Sequence, residues 1–145
     1  MSAEPFNPGP FDPRHDYPLG TRRPDLVTTP SGVPLTEVTL DALRAGKIDG
    51  DEIRATPATL RLQAEVARSA GRLPLAASLE RAAELAAVPD ELLLAVYTAL
   101  RPRRATRAEL ENWAARLTGH GATKTAAFVR EAASAYAQRG LLADG

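Results

Sequence analysis

Prolines are concentrated at one end of the chain, and this feature constrains the fold more than any other. Eight of the 12 prolines lie within the first 34 of 145 residues. Proline fixes its own φ, removes a backbone donor and biases the preceding residue toward extended geometry. A helical fold from end to end is therefore excluded, and we predict an irregular N-terminal part followed by a helical domain.

The Pro-rich part changes in composition near residue 16. Residues 1–15 carry almost no aliphatic side chains that could offset the cost of ordering the backbone, so we predict a disordered tail. Residues 16–38 add leucines and valines between the prolines, which predicts an extended arm that lies along another surface. Within the arm, the sequence Thr-Pro-Ser-Gly at 29–32 predicts a turn with proline at its second position.

The hydrophobic period becomes helical from residue 39, and 28 of the 145 residues are alanine, the best helix former. Capping residues, prolines and glycines divide residues 39–145 into successive helices. The fold class that we predict is all-α, a small up-and-down helical bundle with an irregular, extended Pro-rich N-terminal arm. The predicted helices are a short one at 40–45, a further turn at 49–53, and longer ones at 57–70, 74–86 and 89–101, one from 107 to Gly119 or Gly121, and one at 123–139.

Aromatic residues of these helices recur at helical spacing with aliphatic ones. The pattern predicts that they pack in the core, because an apolar stripe at this spacing faces the interior of a bundle. The residues concerned are Tyr97, Trp113, Phe128 and Tyr136.

Charge and cysteine content exclude several classes of protein. The 18 basic and 18 acidic residues balance, whereas a dedicated nucleic-acid-binding protein usually carries a basic excess. The chain has no cysteine, so it is not a disulfide-stapled domain, and no apolar run approaches the length of a membrane span. We expect a cytoplasmic location or one inside a protein-enclosed compartment, with no nucleic acid or membrane as a partner.

The residues that carry catalytic or metal chemistry are sparse. The two histidines, His15 and His120, are far apart in the chain, and the acidic run at 49–52 lacks the ligand spacing of a calcium loop. No nucleophile or phosphate-binding motif is present. We therefore expect no catalytic, cofactor-binding or metal-binding residue in this chain.

One basic cluster stands out at the predicted end of a helix, formed by Arg101, Arg103, Arg104 and Arg107. Such a cluster suits a phosphate or an acidic partner surface, and cations at this place also offset the carbonyl end of the helix dipole. We expect a structural or inter-subunit role for it.

Seven segments, in order along residues 16–140, resemble one known family. Together they resemble the small (gamma) subunit of adenosylcobalamin-dependent diol and glycerol dehydratases. Residues 141–145 depart from the basic C-terminal tail that is usual there, and Leu92 stands where arginine is common. The segments are DYPL at 16–19, TPSG at 29–32, TLRLQAEVA at 59–67, RAAEL at 81–85, VPDE at 88–91, ALRP at 99–102 and AAFVREAA at 126–133, the last followed by Tyr136 and by Arg139 and Gly140.

The resemblance implies a subunit of a hydro-lyase and not a complete enzyme. In this family large, medium and small subunits assemble with two copies of each. The large subunit, a TIM barrel, holds the substrate and a metal ion, and adenosylcobalamin lies between the large and medium subunits. The enzyme converts a 1,2-diol to an aldehyde and water, and the small subunit packs on the outside of the large one. Members often lie inside bacterial microcompartments, which the present sequence leaves open.

The contacts with partner subunits are expected in the arm and in the basic cluster. A different interpretation keeps the arm as the binding element but makes the chain a free-standing helical adaptor for an unrelated protein. The residues that determine a preference between propane-1,2-diol and glycerol belong to another chain, so this preference is left open. The residues predicted at the interface are Tyr17, Pro18, Leu19, Thr29, Pro30, Arg101 and Arg104.

Overall fold

A computed structural model describes residues 9–145, and the regular secondary structure of these residues is helical, with no strand beyond an isolated bridge between Thr28 and Pro34. The predicted all-α fold class is confirmed. The chain divides into two compact units, one that ends at Leu79 and one that spans Glu80–Gly145. The helices are α1 (Leu19–Arg22), α2 (Leu40–Arg44), α3 (Pro57–Ser69), α4 (Leu73–Leu85), α5 (Asp90–Ala99), α6 (Arg107–Gly119) and α7 (Thr123–Arg139).

Helix boundaries lie within about two residues of those that the sequence predicts, because local capping sets them. Threonine side chains accept hydrogen bonds from the first turns of α2, α3 and α6, as expected of Ser/Thr N-caps. At α6 the capping box is complete, since the Glu109 carboxylate accepts from the Thr106 backbone N–H at 2.7 Å. Gly140 ends α7 with φ of 65°, a left-handed conformation that glycine adopts at little cost.

The segment predicted to be an extended arm, residues 16–38, contains short helical turns instead. Besides α1, there are 3-10 turns at Pro24–Leu26 and Leu35–Glu37. The extended arm is therefore not confirmed, and the positions of the prolines give the physical reason. Prolines stand at the beginnings of these turns, where their fixed φ suits a helical first turn and no backbone donor is lost.

A buried arginine holds this segment together. Arg23 is only 4% exposed, and its guanidinium reaches Asp16 Oδ2 at 2.9 Å and Asp25 Oδ2 at 3.0 Å. These charge-assisted bonds draw together residues seven and two positions away, so the backbone cannot stay extended. The hydrogen bonds from Arg23 hold the pKa of the Asp25 carboxyl below its usual value.

The predicted disordered tail falls largely outside the described residues, which begin at Gly9. Its last part forms a turn in which the Asp16 N–H donates to the Asp12 carbonyl at 2.9 Å. The predicted divisions of the chain at 15/16 and 38/39 stay predictions.

The core of the second unit is built on α6 and α7. Leu110, Leu117 and Val129 are its largest fully buried side chains. Alanines fill the positions between them, and small side chains let two helix backbones approach closely. Leu92 and Val96 of α5 complete this cluster. The alanine-rich composition thus produces a tightly packed but small core.

Two further contacts hold the ends of α7 in the second unit. At its start, the Glu84 carboxylate accepts from the backbone N–H groups of Lys124 at 3.0 Å and Thr125 at 2.9 Å. After its end, the Leu141 carbonyl accepts from Arg103 N–H at 2.8 Å, and the Ala143 N–H donates to the Ala105 carbonyl at 2.9 Å. The C-terminal segment therefore lies against the turn that connects α5 to α6.

Candidate subunit interface

Polar side chains that are buried in this protein serve the fold. The buried polar residues of the described part are Arg23, Thr29 and Thr125. Arg23 binds two aspartates, Thr29 accepts from the Val33 N–H at 3.0 Å, and the Thr125 hydroxyl donates to Glu84 at 3.0 Å.

The residue types that bind metal do not converge in the described part of the chain. Between residues 9 and 145 no three His, Cys, Asp or Glu side chains are grouped so that they could hold a metal ion. Over the same range no helix has both the length and the apolar character to cross a membrane.

Tyr17 is the most informative of the predicted interface residues in the first unit. It is 55% exposed and lines a groove together with Val66, Leu75 and Leu79. Pro18 is exposed beside it. Exposed aromatic rings beside apolar grooves are common among the residues that contact a partner protein.

Leu19 and Thr29, also predicted at the interface, are covered by the chain itself. Leu19 is 2% exposed and Thr29 is 5% exposed, so neither side chain offers a surface to a partner. Thr29 instead builds the predicted turn, because its carbonyl accepts from the Gly32 N–H at 2.9 Å. That turn presents Pro30, which is exposed. The two buried residues thus position their neighbours.

The basic cluster lies on the turn between α5 and α6, and its arginine side chains are exposed. Arg103 has φ of 61°, in the left-handed region, and its N–H is held by the Leu141 carbonyl. The Arg104 N–H donates to the Arg101 carbonyl at 3.2 Å. The backbone of the turn is therefore fixed while the predicted interface residues Arg101 and Arg104 point their charges outward. The assignment of an interface to these residues stays a prediction.

The core packing predicted for two of the aromatic residues is wrong. Tyr97 is 58% exposed and Phe128 is 43% exposed, whereas Trp113 and Tyr136 pack partly buried against the core as predicted. The reason is that the preceding residue on α5, Val96, and the following residue on α7, Val129, are buried and occupy the inward positions instead.

Sequence reasoning also missed Leu94, which is 67% exposed. The sequence does contain a sign of this exposure, because residues 92–97 of α5, Leu-Leu-Leu-Ala-Val-Tyr, are apolar on every side of the helix. A helix that is hydrophobic all round is covered on all sides. In this unit only the side with Leu92, Val96 and Ala99 is covered.

These exposed residues line two separate grooves in the second unit. Tyr97 and Phe128 line one of them, and the Arg81 guanidinium lies 4.6 Å above the Phe128 ring, within cation–π range. Leu94 and Arg104 line the other, with Trp113. We use the name α5 surface for the set Leu94, Tyr97, Arg101, Arg104 and Phe128.

Two other arginines of the second unit, Arg116 and Arg130, have side-chain partners within the chain. Arg130 binds Glu111 through Nε and Nη2 at 2.8–3.0 Å, and these hydrogen bonds lower the pKa of the Glu111 carboxyl. Arg116 stacks on the Trp113 ring at 4.8 Å. No ion pair of the described residues includes Arg101 or Arg104.

An all-α chain that exposes leucine and aromatic side chains beside unpaired arginines is typical of a subunit of a larger assembly. Comparison with known proteins agrees: residues 13–143 match the model of the dehydratase small subunit family, and the chain belongs to that family. It is thus part of a dehydratase enzyme, as the resemblance in the sequence predicted.

Two curated relatives are similar over most of the chain. The propanediol dehydratase small subunit of Citrobacter freundii is 48% identical over 125 residues, which cover 86% of this chain and 73% of the relative. The propanediol dehydratase small subunit of Salmonella typhimurium is 47% identical over 125 residues, with 86% and 72% covered.

Proposed function

We propose that this chain is the small, non-catalytic subunit of an adenosylcobalamin-dependent diol dehydratase, which converts a 1,2-diol such as propane-1,2-diol or glycerol to an aldehyde and water. The observation that carries the proposal is the family match over residues 13–143. The two relatives, both named for propanediol dehydratase, support propanediol as the substrate of the complex.

The non-catalytic role is supported by what the polar side chains do. The buried ones, Arg23, Thr29 and Thr125, are all engaged in holding turns and helix ends. The grooves of the second unit are lined mainly by aliphatic and aromatic side chains, and do not offer the converging polar groups that a corrin or a metal ion needs.

In this proposal the chemistry belongs to the partners. The large subunit holds the substrate and a metal ion, and adenosylcobalamin lies between the large and medium subunits, with two copies of each subunit in the complex. The cofactor supplies the radical chemistry when bound, and the protein positions it and excludes water. The present chain contributes binding surface and stability to the assembly.

The complex is proposed to be cytoplasmic, and enclosure in a bacterial microcompartment is a finer proposal that fractionation of the native cell tests. Cosedimentation of this chain with shell proteins after gentle lysis supports enclosure. Recovery in the free protein fraction together with its partner subunits contradicts it.

A tagged copy of the chain, captured from its native cell, tests the proposed function. We expect the large and medium dehydratase subunits to be recovered in equal amounts with it. Recovery of a different single protein, with neither subunit present, would instead favour the free-standing adaptor. A tagged chain of similar size and unrelated fold serves as the control for non-specific capture.

A further inference from the structure

Resting on the proposed function, we propose that the α5 surface is the face by which this subunit docks on another subunit of the dehydratase, and that the partner presents carboxylates around an apolar centre. The first observation is the apolar content of the surface. Leu94 and Tyr97 are 67% and 58% exposed on one face of α5, and Phe128 adds a ring that is 43% exposed. Aromatic and aliphatic anchors of this kind form the energetic centre of protein interfaces.

Charge complementarity defines the partner. Arg101 and Arg104 follow α5 directly, their side chains are exposed, and Arg104 shares a groove with Leu94. Neither forms an ion pair within the described part of the chain, in contrast to Arg130, which binds Glu111. An acidic rim on the partner would pair with these two charges, and such pairing steers encounter and fixes the register of two surfaces.

The apolar centre argues for a protein rather than a nucleic acid. Phosphate contacts would satisfy Arg101 and Arg104 but would leave Leu94 in water, because backbone phosphates offer nothing apolar to cover it. A protein surface with carboxylates around an apolar centre covers all of these groups together.

The turn between α5 and α6 that carries Arg101, Arg103 and Arg104, here called the arginine turn, is held in place before any partner binds. Its backbone is fixed by the hydrogen bond from Arg103 to Leu141 and by the bond between Ala143 and Ala105. A preorganised turn loses less conformational entropy on binding, so more of the contact energy appears as affinity.

Paired substitutions test the docking face in the co-expressed complex of all three subunits. We expect Leu94→Ser and the double variant Arg101→Glu/Arg104→Glu each to weaken association with the partner subunits about tenfold or more. In the charge variant, added salt should no longer weaken association, because it then screens a repulsion between glutamates and the partner's carboxylates. Circular dichroism checks that each variant is folded.

Matched controls come from the first unit. Leu40→Ser replaces a leucine that is 60% exposed, and Arg61→Glu reverses an exposed arginine of α3. Both should assemble as the wild type does. Equal weakening by these controls, or loss of assembly with Tyr17→Ser while Leu94→Ser assembles normally, would place the docking face elsewhere and overturn the inference.

Chemical modification separates the docking face from the proposed function. Phenylglyoxal should modify Arg101 and Arg104 in the isolated chain and much less in the assembled complex, as read by mass spectrometry. A complex that forms with both arginines equally reactive contradicts the docking face alone. No complex with the wild-type chain contradicts the proposed function as well.

A short DNA duplex serves as the probe for the nucleic-acid alternative. We expect no binding at physiological salt, where phosphate contacts are weakened. Duplex binding that Arg101→Glu/Arg104→Glu abolishes, with subunit assembly unchanged, would overturn the inference.

Discussion

At the scale of single residues, Glu84 is the clearest case of a contact that sequence alone does not reveal. The residue before α7, Ala122, has no side chain that could cap the helix. Glu84 replaces the cap from 40 and 41 positions away in the chain, by accepting from Lys124 N–H, Thr125 N–H and the Thr125 hydroxyl. Its negative charge also lies at the positive end of the helix dipole.

Replacing Glu84 by alanine should therefore destabilise the second unit. We expect a loss of about 1–2 kcal/mol in the free energy of unfolding, the usual cost of removing a helix cap, measured by urea unfolding with circular dichroism. Glu84→Gln keeps an acceptor and should lose less. Glu131→Ala, an exposed glutamate within α7, serves as the control, and a similar loss there would argue against the cap.

Phe128 and Val129 are neighbours on α7 with opposite roles. Phe128 is 43% exposed, whereas Val129 is fully buried. The larger side chain is thus the smaller contributor to the core, although composition and periodicity alone favour the reverse.

This pair gives a second prediction at the residue scale. Val129→Ala should cost about 2–3 kcal/mol of stability because it leaves a cavity, and Phe128→Ala only about 1–2 kcal/mol. Assembly with partner subunits should show the opposite order, with Phe128→Ala more harmful. A loss of 3–5 kcal/mol for Phe128→Ala, the range of a buried phenylalanine, would contradict the exposed position.

At the scale of elements, the helices were predictable and the N-terminal segment was not. Thr106 and Glu109 lie three positions apart, which is the spacing of a capping box. The sequence alone therefore predicts their reciprocal hydrogen bonds and the start of α6. The turns of residues 16–38 depend on Arg23, whose bonds to Asp16 and Asp25 require a folded backbone before they can be recognised. Proline spacing alone favours an extended chain and misses them.

We expect the cluster of Arg23, Asp16 and Asp25, here called the Arg23 cluster, to make the first unit sensitive to acid. Hydrogen bonds from Arg23 lower the pKa of Asp25 in the folded state, so its stabilising contribution is present above the ordinary pKa of aspartate and is lost as pH falls through the folded value. Stability should therefore decline below about pH 4. In urea unfolding at pH 7 and pH 3, Asp25→Asn should start less stable and lose less on acidification.

The control for acid sensitivity is Asp144→Asn, an exposed residue at the C-terminus without an ion pair in the described chain. It should respond to acid as the wild type does. An acid response of Asp25→Asn equal to that of the wild type would show that the Arg23 cluster does not contribute.

The C-terminal segment is a second element that the sequence did not define. Leu142 packs partly buried against the core, and backbone bonds join Leu141 to Arg103 and Ala143 to Ala105. These contacts hold the segment after α7 against the arginine turn. The C-terminal residues Leu141, Leu142 and Ala143 thus have a packing role.

Removing residues 141–145 should cost about 2 kcal/mol of stability, since it exposes the apolar surface that Leu142 covers. Removing Asp144 and Gly145 alone should be nearly neutral, because Leu142 and both backbone bonds remain. Differential scanning calorimetry of the two truncations measures the difference. Equal melting temperatures would show that the segment does not stabilise the second unit.

At the scale of the whole molecule, the composition suits a subunit that buries further apolar surface against a partner. Alanine makes up 28 of the 145 residues and buries little apolar area, so the core is small while Leu94, Tyr97 and Phe128 stay exposed. The helical fold and the family were accessible from the sequence, since both rest on local patterns. The exposed face of α5 was not, because which side of an all-apolar helix packs inward is decided by its neighbours in three dimensions.

We propose that this chain is a structural subunit on which diol dehydration by its partners depends. The most direct test of this claim is reconstitution of the large and medium subunits with adenosylcobalamin and propane-1,2-diol, with and without this chain, followed by aldehyde formation. We predict no activity from the chain alone, little from the partners alone, and full activity when all three are combined. Assembly and full aldehyde formation by the large and medium subunits without this chain would contradict the claim.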